Sequence, residues 1–207
     1  MKFTKIEQKL IDEVGSKNGA NWKDHIKFAQ WIVNRKNPEV IVDLGVDYAY
    51  STFSFALPKI GHIYGIDSFE GDSHAGQKDK VKSFESYQFV EQKKEEYGFD
   101  HITFIKGYFD DVAKDWDKEI DILHIDGLHT YECVMNDFAT WGQFVKDDGV
   151  ILMHDTKVFH GSFGVHRFFD ELDYPKLTFT VSHGLGVVAK EWDIINEIKD
   201  QFPDIVE

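Results

Sequence analysis

The stretch VIVDLGVDYAYSTFSFA, residues 40–56, decides how this chain folds. Its first five residues, VIVDL, follow Pro38 and are almost continuously apolar, as expected of a strand covered on both faces. Asp43 lies at the end of that run, Gly45 comes two residues later, and a helix starts near Ser51. A glycine at this place lets the backbone turn tightly and approach a ligand, and a helix start presents free amide donors. The nucleotide-binding glycine fingerprint is absent: Asp47 and Ala49 stand where glycines are expected, and Asp47 repels a pyrophosphate. An acidic turn of this kind suits a cationic or zwitterionic ligand better, and an ordinary strand-to-helix turn is the plain alternative.

Similar runs recur outward from this stretch. HIYGID (62–67), ITFIKG (102–107), IDILHID (120–126) and GVILMHD (149–155) read as further buried strands, and LTFTV (177–181) with GLGVVA (184–189) as an antiparallel pair. Helices are expected at about 49–57, 78–97, 109–116, 130–145 and 163–173; in the fourth, Val134, Phe138 and Trp141 form one apolar stripe. Strand alternating with helix implies right-handed crossovers. The expected fold is therefore α/β, a Rossmann-like, doubly wound, seven-stranded, mostly parallel sheet with an antiparallel last strand and helices on both faces. One domain is expected, with a helical cap over 1–38, a ligand-binding core over 39–190 and a C-terminal helix or tail over 191–207. Trp22, Phe28, Trp31 and Ile32 anchor the cap, and the polar segment 68–80 reads as a mobile loop near a site.

In such sheets ligands bind beyond the carboxyl ends of the strands. Asp43, Asp67, Asp126 and the pair His154–Asp155 all fall at such ends. Asp67, about 20 residues after the glycine turn, is placed to accept the two hydroxyls of a ribose. Adjacent strand ends bring Asp126, His154 and Asp155 together, and carboxylates with imidazole suit a divalent cation such as magnesium or manganese. His129, three residues past Asp126, is close enough to act as a general base beside it. The competing role for Asp126 is a helix N-cap, with Thr130 nearby. His124, flanked by Leu123 and Ile125, reads as a hydrogen-bonded structural histidine. His74 in the polar loop is within reach of a substrate, the sides of His160, His166 and His183 are undetermined, and His25, His62 and His101 read as surface or structural.

Composition narrows the partners. With 207 residues, 42% hydrophobic and 29% charged, the chain is globular, and its 18 Phe suggest a bulky core or an aromatic-lined pocket. A net charge of −14 argues against nucleic acid and anionic membrane surfaces. The single cysteine, Cys133, excludes an intrachain disulfide, and no run approaches a signal peptide core or a membrane span, so a cytosolic, cytoplasmic location is expected.

With these residues in view, the chain resembles the class I S-adenosylmethionine-dependent methyltransferases. More narrowly, it is similar to the metal-dependent O-methyltransferases of the macrocin type, which act on sugar hydroxyls of natural products and glycans, and more distantly to catechol O-methyltransferase. The likeness spans roughly residues 38–190, where DSFEGDSHAG, HIDGLHTYE, GVILMHDT, FGVHRFFDEL and HGLGV occur in the order that this group shows. The resemblance implies that Asp43, Gly45, Tyr50 and Ser51 surround the methionine part of S-adenosylmethionine. It implies that Asp67 with Ser68 holds the ribose, and that Phe109 and Asp110 meet the adenine, with Asp126 bordering the cofactor. Asp126, His154 and Asp155 then match the positions that bind Mg2+ or Mn2+, with His154 where related enzymes carry an acidic ligand, and His129 matches the base. The acceptor implied is a small-molecule or glycan hydroxyl, and relatives of this kind sit beside, or are fused to, glycosyltransferases; a homo-oligomer is also compatible. Two rivals stand beside this: a metal-dependent hydrolase built on the same His/Asp cluster, and a non-catalytic nucleotide-binding partner domain.

Overall fold

The computed structural model describes residues 3–17, 21–70 and 77–207, the side chains of 77–84 excepted. Of the polar loop expected at 68–80, residues 71–76, His74 included, lie outside the described residues, and 77–80 belong to a helix. A seven-stranded sheet forms the centre, with β1 (Val40–Leu44), β2 (His62–Asp67), β3 (Ile102–Lys106), β4 (Ile120–Ile125), β5 (Val145–His154), β6 (Lys176–Phe179) and β7 (Leu185–Ala189). Their order is β3-β2-β1-β4-β5-β7-β6, with β7 antiparallel to both neighbours and the other pairings parallel. The expected seven-stranded, doubly wound sheet with an antiparallel last strand is the one observed.

Because successive strand residues face opposite ways, the apolar runs serve two cores. Ile41, Ile63, Ile122, Val150 and Leu152 pack toward α1 (Lys5–Gly15), α2 (Ile26–Lys36), α3 (Tyr50–Ala56), α4 (Gln77–Tyr97) and α8 (Trp192–Gln201). Val42, Leu44, Leu123, Ile125, Ile151 and Met153 pack toward α5 (Phe109–Lys114), α6 (Tyr131–Gly142) and α7 (Val165–Glu171). The cap expected over residues 1–38 is α1, a short 3-10 turn at Lys23–His25, and α2. Thr4 opens α1 with a capping box closed by Glu7. No helix among the described residues is long and apolar enough to cross a membrane.

Two boundaries differ from expectation by three residues or more. The helix expected to run to residue 145 stops at Gly142, because β5 begins at Val145, four residues before the expected start. A register shift against β4 between Ile120 and Ile122 absorbs the extra residues Lys146–Asp148, of which Asp147 and Asp148 are exposed. Asp121 pins this corner: Oδ2 accepts from the backbone N–H of Glu39 (2.8 Å) and Val40 (2.9 Å), and Oδ1 from Lys146 Nζ (2.8 Å).

Candidate active site at the carboxyl ends of the central strands

Register places the polar strand ends together. Ile125 of β4 pairs with Met153 of β5, so Asp126 and His154, each one residue further on, leave the sheet side by side. One ligand atom from each of Asp126, His154 and Asp155 lies within 4.8 Å of the others. His154 Nδ1 stands 3.4 Å from Asp126 Oδ1 and 3.3 Å from Asp155 Oδ1. These separations are close to the roughly 3 Å between adjacent ligands on an ion with bonds of about 2.1 Å. Asp155 has φ 64, a left-handed conformation that costs an aspartate less than most residues, and its Oδ1 is buried without a hydrogen bond. An orphaned carboxylate oxygen between an imidazole and a second carboxylate is what a divalent cation satisfies, so the donor set fits one.

His129 completes the cluster, with Nε2 2.9 Å from Asp155 Oδ2 and 3.4 Å from Asp126 Oδ1. Burial opposes a charge on His129, but hydrogen bonds to the two carboxylates outweigh it and raise its pKa to about 10. Burial likewise opposes a charge on His154, yet the Asp126 carboxylate beside it lifts it to about 9. Asp126 itself is held below the usual carboxylate range: its burial works the other way, and the two imidazoles override it. The N-cap of α6 is Thr130, whose Oγ1 accepts from Cys133 N at 3.3 Å, so capping does not occupy Asp126. The His129 ring lies flat against Phe163, with centroids 4.7 Å apart and planes 16° off parallel. Gly164 N–H donates to the His129 carbonyl at 2.7 Å, which ties the loop before α7 to the same residue.

The tight glycine turn is present, and the structure adds a second reason for glycine there. Gly45 has φ 94, and a Cβ there would lie 2.0 Å from the Asp126 carbonyl oxygen. The close approach is to the β4 loop, which locks the turn to the metal-ligand candidates. Asp47 and Ala49, where glycines were expected, keep left-handed backbone at φ 45 and 63. Asp67 is half-buried; its Oδ2 accepts from Asp47 N at 3.0 Å and its Oδ1 from Phe69 N at 2.7 Å. Burial raises its pKa, while those amides pull the other way. Three backbone amides, of Asp47, Phe69 and Val46, act on a carboxylate that offers about four lone-pair sites in all.

Three residues expected around the methionine part of a cofactor are buried. Asp43 is fully buried: Oδ2 accepts from Ser51 Oγ (2.7 Å) and Thr52 Oγ1 (2.5 Å), and Oδ1 lies 2.6 Å from His124 Nδ1. Its register partner in β4 is His124, which explains the contact. The hydroxyl of Ser51 is spent on Asp43. Tyr50 is buried, which pushes its phenol to about 12, helped by Asp12 and Asp24. These side chains buttress the turn from behind. Phe109 and Asp110 open α5 beyond β3; Phe109 packs over Gly127, and Asp110 Oδ1 accepts from Asn136 Nδ2 at 2.8 Å. Ser68 Oγ accepts from Glu70 N at 3.3 Å.

Several contributors were not legible beforehand. His25, grouped with surface or structural histidines, is fully buried, and burial lowers its pKa to about 3. Trp22 Nε1 donates to His124 Nε2 at 3.3 Å. The turn Ser182–Gly184 carries three consecutive left-handed residues at φ 45, 68 and 85, and its carbonyl at Ser182 receives His25 Nε2 (3.3 Å) and His154 Nε2 (3.1 Å). His183, whose side was undetermined, has Nδ1 3.3 Å from Asp155 Oδ1. Consecutive positive φ outside glycine leaves no periodic trace in sequence.

Residues 42–156 match the family described as methyltransferase domain. The chain belongs to this family. The chain is 33% identical over 178 residues, 81% of its length, to the uncharacterized protein y4gI of Sinorhizobium fredii, of which it spans only 19%. Its fold is similar to a putative caffeoyl-CoA O-methyltransferase from Staphylococcus aureus, with TM-score 0.70 and 14% identity, covering 91% of this chain and 93% of that one. It is also similar to an O-methyltransferase from Bacillus cereus in complex with SAH, with TM-score 0.68 and 13% identity, covering 92% and 93%.

Proposed function

We propose that this methyltransferase domain moves the methyl group of S-adenosylmethionine to a hydroxyl, with the help of a divalent cation, and that the hydroxyl belongs to a sugar. The observation that carries the proposal is the meeting of Asp126, His154, Asp155 and His129 beside the Gly45 turn and Asp67. Gly45 and Asp67 border the switch point where β1 separates β2 from β4, the place where open α/β sheets bind ligands. Asp67 would hold the ribose, and Phe109 with Asp110 the adenine. The methionine part would lie along the turn after Gly45, where the acidic surroundings tolerate a sulfonium. Fold likeness to the SAH complex supports the cofactor.

Asp126, His154 and Asp155 would hold Mg2+ or Mn2+; a bound ion lowers the pKa of a coordinated hydroxyl as it does that of water. Between the bare carboxylates His129 Nε2 holds a proton; a cation on Asp126 and Asp155 would withdraw their charge and free that nitrogen to take the acceptor proton. Phe163 keeps that ring from turning. Methyl transfer needs in-line approach at about 3 Å, so placement by these rigid strand ends supplies much of the acceleration. The sugar assignment rests on the resemblance to macrocin-type enzymes. The exposed Phe159 and the stacked Phe163 beside the base suit the apolar face of a sugar ring. Association with a glycosyltransferase rests on the same resemblance.

Isothermal titration with S-adenosylhomocysteine tests the cofactor: binding is expected, and none at high micromolar concentration sinks the proposal. His129→Ala is expected to abolish turnover of sugar acceptors while leaving that titration unchanged. Surviving activity would remove His129 as the base.

A further inference from the structure

Of the three side chains whose ligand atoms converge, Asp126 and Asp155 offer oxygen and His154 offers nitrogen. The orientation of His154 is set from behind. Nε2 lies 3.1 Å from the Ser182 carbonyl, which only accepts, so Nε2 carries a proton and Nδ1 is the atom offered to Asp126 and Asp155. Nδ1 holds either a second proton or a cation between those carboxylates, never both. The ring is 5% exposed and meets His25 edge-on at 5.8 Å, so it cannot turn away. The Ser182 carbonyl is itself anchored. Ser182 Oγ donates to Asp24 Oδ2 at 2.7 Å and accepts from Asp24 N at 3.3 Å, and His25 Nε2 adds a second donor to the carbonyl. An imidazole so constrained is built to point one lone pair at one place.

We propose that this centre selects a first-row transition ion, Mn2+, Fe2+ or Co2+, over Mg2+, and that His154 sets the preference. The inference rests on the metal-binding role put forward above and narrows it. Mg2+ is a hard ion that prefers oxygen and gives up water reluctantly, so a buried imidazole is a poor exchange for a carboxylate or a water. Imidazole suits the transition ions, whose affinities for nitrogen-containing sites rise from Mn2+ through Fe2+ to Co2+. Asp126 and Asp155 bind either class of ion. The third ligand decides between them.

The test is a titration of purified protein with Mn2+, following free ion by electron paramagnetic resonance, and then with Mg2+ as competitor. The same pair of titrations is run on His154→Asp, which restores an all-oxygen donor set, and on His154→Glu in case the shorter variant does not fold. Circular dichroism reports folding. The ratio of Mn2+ to Mg2+ affinity is expected to fall by on the order of tenfold or more in the variant. An equal ratio in wild type and variant overturns the selectivity while leaving the metal site standing. Failure of wild type to bind either ion at millimolar concentration overturns the metal-binding role and the selectivity together.

Discussion

Replacing Gly45 by alanine isolates the contact that joins the cofactor turn to the candidate metal ligands. The new Cβ would sit 2.0 Å from the Asp126 carbonyl oxygen and 2.6 Å from its carbonyl carbon. Both are backbone atoms, so no side chain can swing aside, and the two loops must part by more than an ångström. Parting them strains the bonds from Gly45 N–H to the Ile66 carbonyl (3.0 Å) and from Asp126 N–H to the Leu44 carbonyl (2.8 Å). Each bond contributes about 0.5–1.5 kcal/mol. The left-handed backbone at φ 94 adds about 1–2 kcal/mol for any residue with a Cβ. The sum is about 2–5 kcal/mol, which lowers the melting temperature of a chain this size by about 4–20 °C. Gly98→Ala is the control: φ is 66 there, but its Cβ would meet nothing within 4 Å, so only the backbone cost remains. Urea denaturation of both variants measures the difference, and titration with S-adenosylhomocysteine should show affinity weakened about tenfold or more in Gly45→Ala alone. If the two variants lose stability equally, within about 0.5 kcal/mol, the close approach carries no weight and the reasoning fails.

Asp43→Ala should cost about 3–5 kcal/mol in urea denaturation, because it strands the buried His124, Ser51 and Thr52 donors; a loss under about 1 kcal/mol would contradict the buttressing role. Asp137 is buried on α6, and burial, reinforced by the Asp110 charge, raises its pKa from 3.8 to about 7. A carboxyl raised in the folded state stabilises most below pH 3.8, and that contribution is lost as pH rises through about 7. Asp137→Asn should therefore be the more stable protein at pH 8, by on the order of 1–3 kcal/mol, and the gap should close toward pH 4. A constant gap across that window would refute the assignment. Asp67→Ala should weaken binding of S-adenosylhomocysteine by on the order of tenfold or more, whereas unchanged affinity would remove Asp67 from the ribose.

The order of elements was legible because a two-faced parallel sheet needs near-continuous apolar strands, and seven such runs stand out between amphipathic helices. The clustering of Asp126, His154 and Asp155 was legible for a related reason: carboxyl ends of strands in an open sheet share one edge, and the chain places acids and imidazoles there. Strand boundaries were less so at β5, where an irregular register admits the polar residues Lys146–Asp148 that no apolar pattern marks.

The sequence by itself determined the architecture and the residue types at the strand ends, since both follow from periodicity and local order. Only the tertiary structure decided which strand-end groups face outward. It turned Asp43 and Ser51 inward, because the parallel register sets Asp43 against His124 beneath the N-terminal cap. It brought Ser182, from a turn 28 residues after His154, against that imidazole and so chose which nitrogen faces the carboxylates. Such contacts join segments distant along the chain, and their geometry depends on register and on left-handed backbone. Neither is written in the local pattern of residues.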